Sequence, residues 1–161
     1  MSKIKHQTLL SLIMLFSILT IFAAYFIQYV LKHPPCNLCL IERIPYVVSI
    51  IIITISLFFK KFEKISLIFL SLLFFFSALI AFYHFGIEQG FFEESLVCNL
   101  NNNDNNLSKE ALLDQLKELP ISCKDVTFKV FGLSLATFNI FISLILSAIT
   151  TNLFLTYEKN K

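Results

Sequence analysis

A chain of 161 residues in which 57% are hydrophobic, 19 are phenylalanine and only 15% are charged has too little polar surface to clothe a water-soluble domain. The apolar residues gather in blocks rather than along amphipathic stripes, and the mean hydropathy is +0.76. This excludes a soluble enzyme and points to an integral membrane protein with a single domain over 1–161, whereas a net charge of +2 excludes little until the charges are placed.

Leu9 to Val30 carries no charge. About 20 residues rising about 1.5 Å each cross a hydrocarbon core of roughly 30 Å, so this block predicts a first span over 9–30. A secretory signal peptide is the competing reading, since Lys3 and Lys5 supply a positive leader. The apolar run is longer than a typical h-region of about 7–15 residues, Ala23-Ala24-Tyr25 is a poor cleavage site, and more spans follow. A retained helix is expected.

Pro34-Pro35 closes that span, and 31–39 forms an outer loop before a second span over 40–59. Counted from Pro45 the second apolar run is short, whereas counted from Cys36 it is ample. Either the cysteines begin the helix, with Pro35 in a first-turn position and a kink at Pro45, or they lie in a loop among the headgroups. Both arrangements put Cys39 and Arg43 at the membrane interface.

The basic turn Lys60-Lys61-Phe62-Glu63-Lys64 leads to a third span over 65–85, whose Phe74-Phe75-Phe76 reads as lipid contact and helix packing. A polar loop over 86–130 precedes a fourth span over 131–155. Within the loop, Asn99 to Asn106 is a low-complexity linker. Ser108 then predicts an N-cap for a short amphipathic helix with Leu112, Leu113, Leu116 and Leu119 on one face, closed by Pro120. The expected fold is an all-α four-transmembrane-helix bundle with both termini on one side.

Lys3, Lys5, Lys60, Lys61, Lys64, Lys159 and Lys161 face Glu63 and Glu158 on the terminal side, while the other side sets Lys32, Arg43, Lys109, Lys117, Lys124 and Lys129 against nine acids. The positive-inside rule therefore puts both termini in the cytoplasm and the 31–39 and 86–130 loops outside, in the periplasm of a bacterial inner membrane.

All four cysteines, Cys36, Cys39, Cys98 and Cys123, fall in the outer loops. Paired cysteines in an oxidising compartment form disulfides, and of the three connectivities the local pair Cys36–Cys39 with the loop pair Cys98–Cys123 is the natural expectation. A loop bond would be a reasonable staple, contributing on the order of 3 kcal/mol. A bond across two residues closes almost no loop entropy, so its usual purpose is redox. Arg43, one helical turn beyond Cys39, would favour a thiolate there, although headgroup binding or a pair with Glu42 also accounts for it.

Metal chemistry competes. His33-x-x-Cys36-x-x-Cys39 has knuckle-like spacing, and His84, Cys98 or Cys123 could complete four ligands. Against zinc, outer-side thiols must escape oxidation and no second Cys-x-x-Cys exists, so no metal is expected. His84, at the end of the third span, reads as an interface group or as part of a ligand site at the depth of Arg43. No phosphate loop, Ser/His/Asp order or nucleic-acid signature is present.

Cys36-Asn37-Leu38-Cys39-Leu40-Ile41-Glu42-Arg43 resembles the first outer loop of the DsbB family of disulfide-forming inner-membrane proteins. Tyr83-His84-Phe85-Gly86-Ile87-Glu88-Gln89-Gly90 resembles that family's third-helix end, and Cys98, then Cys123 before Phe131-Gly132-Leu133-Ser134, match in order. The resemblance covers nearly the whole chain, with the asparagine run as its main departure. It implies a thiol:quinone oxidoreductase in which Cys98–Cys123 oxidises a periplasmic DsbA-like thioredoxin-fold protein, with Cys98 forming the mixed disulfide. Cys123 would pass electrons to Cys36, and Cys39 would face ubiquinone or menaquinone held near Arg43 with help from His84. Vitamin K epoxide reductase relatives share the chemistry but usually carry Cys-x-x-Cys after the loop cysteines, whereas here it comes first. The alternatives are a small membrane scaffold or transport subunit with two structural disulfides, and the His/Cys metal site.

Overall fold

The computed structural model describes residues 2–93, 98, 122–124, 129–130 and 132–159. The asparagine linker and the amphipathic helix expected after Ser108 lie outside these residues. Five α-helices are described: α1 (Ser2–Tyr29), α2 (Asn37–Ile41), α3 (Ile44–Phe58), α4 (Glu63–Glu88) and α5 (Leu135–Lys159). Four stretches are long and apolar enough to cross a membrane, His6–Tyr29, Asn37–Phe58, Glu63–Glu88 and Leu135–Lys159. The protein is an all-α, multi-pass membrane protein, as its apolar blocks predict.

The helix limits depart from the sequence reading for local reasons. The second span is two helices, α2 and α3, separated at Glu42 and Arg43. Pro45, in the first turn of α3, has no N–H to offer the Ile41 carbonyl, so the break falls just ahead of it. The third helix starts at Glu63, where a carboxylate suits the positive end of the helix dipole, and runs on to Glu88 rather than stopping at Phe85. The fourth starts at Leu135 instead of 131 because the preceding residues form a hairpin. There β1 (Lys129–Val130) pairs antiparallel with β2 (Leu133–Ser134), and Gly132 at φ +82° supplies the left-handed turn. Ser134 Oγ then accepts from the Thr137 N–H at 3.3 Å and caps α5.

Helix α1 packs on α3, α3 on α4, and α4 runs along α5. Lipid tails are as apolar as leucine, so these seams depend on close fit and on polar pairs rather than on escape from water. Ser49 Oγ donates to Ser17 Oγ at 3.0 Å across α1 and α3, and Ser77 meets Ser143 at 3.1 Å across α4 and α5. Around them Leu10, Ile13, Ile53, Leu67, Leu70, Phe74 and Leu146 form the core. The phenylalanine triplet divides as expected, with Phe74 buried and Phe75 and Phe76 outward. One end of the bundle joins the chain termini, with the His6 ring 6.1 Å from that of Tyr157 and Lys64 Nζ 2.8 Å from Glu158 Oε2. The other end holds a second cluster, built from Cys36, Leu38, Ile87, Cys98 and Cys123 with Cys39, Ile41 and Tyr83 packed against it.

Candidate active site

The short helix α2 exists because Cys36 caps it. Cys36 has extended backbone (φ −72°, ψ 167°), and its Sγ accepts the Cys39 N–H at 3.2 Å. A sulfur takes the place that a serine or aspartate oxygen usually holds, at the positive end of a helix. From α4, His84 reaches the same sulfur, with Nε2 3.5 Å from Cys36 Sγ. The thiol of Cys36 is accordingly pulled down to about 5. The largest influence is the hydrogen bond from the Cys39 thiol; the hydrogen bond and charge of His84 and the Cys39 backbone N–H add to it, against the opposing effect of burial.

His84 is held from behind. Its Nδ1 lies 2.7 Å from Glu42 Oε1, and the other oxygen of Glu42 accepts the Asn139 side-chain N–H at 2.9 Å. Asn139 Oδ1 in turn accepts the Tyr46 hydroxyl at 2.5 Å. Carboxylate oxygens only accept, so the proton of this histidine–carboxylate contact sits on Nδ1 and Nε2 is turned to the sulfurs. Glu88, one turn beyond His84 on α4, places Oε1 3.6 Å from Nε2, and its Oε2 is buried with no hydrogen-bond partner among the described residues. The break between α2 and α3 is what turns Glu42 inward to this network rather than onto Arg43.

Arg43 behaves differently from its sequence reading. Its Nη1 donates to Gln28 Oε1 at 2.7 Å, and its guanidinium lies 5.2 Å from the ring centre of Tyr25, both on α1. The thiolate-favouring contacts therefore gather on Cys36 and not, as the spacing suggests, on Cys39. Arg43 still borders a cavity of about 220 Å³ between α1 and α5. Ala24, Ile27, Phe138 and Ile142 make apolar walls there, and Cys39, Arg43, His84 and Glu88 supply its polar groups.

Cys98 and Cys123 are bonded, with Cα atoms 6.0 Å apart, which agrees with the expected loop pair. Cys36 and Cys39 stand as two thiols, adjacent but unbonded. Cys123 borders the same cavity as Cys39, so the two pairs meet at one place. The knuckle built on His33 does not gather. Among the described residues the close group is Cys36, Cys39 and His84, whose donor atoms all lie within 4.8 Å of one another.

The family model for disulfide bond formation protein DsbB matches residues 6–153. The chain belongs to the DsbB family. Uncharacterized protein RP370 of Rickettsia prowazekii (strain Madrid E) is 28% identical over 160 residues, covering 98% of this chain and 92% of its own length. No solved structure matches. Membership assigns the chain to the machinery of disulfide formation, as an oxidoreductase of the membrane. Residues that motif reading passes over, Asn139 and Tyr46, complete the hydrogen-bond network behind His84. The available signal for Asn139 was an amide early in an apolar helix, and such residues usually face a bundle interior.

Proposed function

We propose that this protein re-oxidises a periplasmic DsbA-like dithiol protein and passes the electrons to a membrane quinone. The observation that carries the reading is the meeting of two cysteine pairs beside one apolar-walled cavity whose polar groups include Cys39, Arg43 and His84. The cavity's residues fit a quinone head group, with apolar side chains for its faces and Arg43 or His84 as donors for a carbonyl. When bound, a ubiquinone or menaquinone supplies a sink for two electrons and two protons.

The chain's own residues do the rest. A thiolate of the partner attacks Cys98, and Cys123 leaves with the electron pair. Cys123 then attacks Cys36 of the Cys36–Cys39 disulfide, and Cys39 leaves toward the cavity. The partner's second thiolate displaces Cys98, and Cys98 attacks Cys123 and releases Cys36; the partner emerges with its own disulfide, Cys98–Cys123 is restored and the two electrons rest on the Cys36–Cys39 pair. His84, braced by Glu42, takes the proton of the Cys36 thiol and keeps that sulfur as the nucleophile that recloses the bond to Cys39 as the electron pair leaves for the acceptor. A DsbA-type partner has a potential of about −120 mV, so a dithiol alone is a poor oxidant for it and a more oxidising final acceptor is required. The charge distribution supports an orientation with both termini in the cytoplasm and the cysteine end in the periplasm.

The test is purified protein in detergent mixed with a reduced dithiol protein and ubiquinone or menaquinone, with quinone absorbance followed. Cys36→Ala and Cys39→Ala should each abolish the quinone-dependent oxidation. Wild-type rates in either variant rule the reading out.

A further inference from the structure

We propose that the reduced protein carries a zinc site made by Cys36, Cys39, His84 and Glu88, and that zinc bound there acts as a reversible brake on the redox pair. It rests on the proposed function only in that Cys36 and Cys39 must spend part of their cycle as thiols. Oxidation argues against a permanent zinc at outer-side cysteines, but that argument does not apply to the reduced half of the cycle.

The geometry has three parts. First, the sulfurs of Cys36 and Cys39 and a nitrogen of His84 lie within 4.8 Å of one another, and the Cys36 Sγ to His84 Nε2 separation is 3.5 Å. With zinc bonds of about 2.3 Å to sulfur and about 2.0 Å to nitrogen, the edge of a tetrahedron between these two atoms is about 3.5 Å. Second, a carboxylate that could turn in as a fourth donor stands next to the histidine. Glu88 Oε1 is 3.6 Å from Nε2, and Glu88 Oε2, on a side chain only 5% exposed, lacks a partner among the described residues. Besides the histidine, the Ser134 hydroxyl acts on this carboxylate, and a buried carboxylate beside an imidazole favours a cation close by. Third, the histidine is already oriented as metal-binding histidines are. Nδ1 donates to Glu42, itself fixed by Asn139, which turns Nε2 toward the sulfurs, where zinc would displace its proton.

Two thiolates, an imidazole and a carboxylate are a borderline-soft set that suits zinc rather than calcium or magnesium. Binding releases the proton of the Cys39 thiol and the one that His84 holds from Cys36, and moves no electrons. Closing the Cys36–Cys39 disulfide removes two of the four donors, so the site exists only in the reduced state. While zinc is bound neither sulfur is free to react, and electron transfer stops.

The experiment uses the full chain with Cys98→Ser and Cys123→Ser, so that no other thiols remain. It is reduced, freed of reductant without oxygen, and titrated with Zn²⁺ against a chromophoric chelator and with Cd²⁺ for thiolate charge-transfer absorbance. We expect one metal per reduced chain and none in the disulfide form. The near-isosteric Glu88→Gln and the His84→Ala variants should each weaken binding tenfold or more, and Glu42→Gln by about 10–100-fold through the histidine. No uptake by the reduced protein at tenfold metal excess, equal uptake by the disulfide form, or affinity unchanged in both Glu88→Gln and His84→Ala overturns the proposal. Because the readout is metal uptake, its failure leaves the quinone reading standing, and failure of quinone reduction leaves the zinc site standing.

Discussion

Cys36 concentrates more of the site than any other residue, since a helix N-terminus, a neighbouring thiol and a carboxylate-braced histidine all act on its sulfur. A thiol held at about 5 in the folded protein, against an ordinary thiol near 9, favours the reduced pair fully above pH 9. That advantage is lost progressively as pH falls toward about 5. Stabilising the reduced form makes the Cys36–Cys39 disulfide a stronger oxidant at neutral pH than an unperturbed pair would be. In the Cys98→Ser, Cys123→Ser background with chelator present, the alkylation rate of Cys36 by iodoacetamide should rise with a midpoint near pH 5, and His84→Ala should move that midpoint up by more than a unit; a midpoint that stays put contradicts the role given to His84. Arg43→Ala should chiefly raise the apparent KM for quinone, because its guanidinium borders the cavity rather than a sulfur; an unchanged KM argues against it. The cysteines, Arg43 and His84 were legible from spacing and from their place at the ends of apolar runs. The joining of Glu42, His84 and Asn139 was not, because it depends on which faces of three helices meet, and an apolar run shows no face when lipid surrounds it.

The helices themselves were readable from length and apolarity alone, and their ends were not. Glu63 and Glu88 are charges that a hydropathy reading trims away, yet both belong to α4, one at its dipole and one at the buried site. The turn at Gly132 took residues from the start of the fourth span for a hairpin. The break ahead of Pro45 lay between the two arrangements the sequence allowed, with the cysteines on a helix of their own. The seams between helices depend on small hydroxyl residues, which leads to a contrast. Ser77→Leu, at the contact of α4 with α5, should destabilise the bundle by about 1–3 kcal/mol through overpacking. Phe76→Ala, facing lipid, should change stability far less. Unfolding in mixed detergent measures both, and equal losses would contradict the packing described.

For the whole molecule the division is between two ends. One ties Lys64 to Glu158 near both termini, and the other gathers two cysteine pairs around a cavity. The function proposed for the second end requires that electrons enter through the loop pair and leave only from Cys36 and Cys39. The most direct measurement is a single turnover without oxygen, in which fully reduced protein receives one equivalent of ubiquinone and the disulfides formed are identified by mass spectrometry after acid quenching. The account predicts a Cys36–Cys39 bond first and one quinone consumed per chain by the Cys98→Ser, Cys123→Ser protein, with none consumed by Cys36→Ser, Cys39→Ser. Quinone consumption by the latter, through the loop cysteines alone, would contradict it.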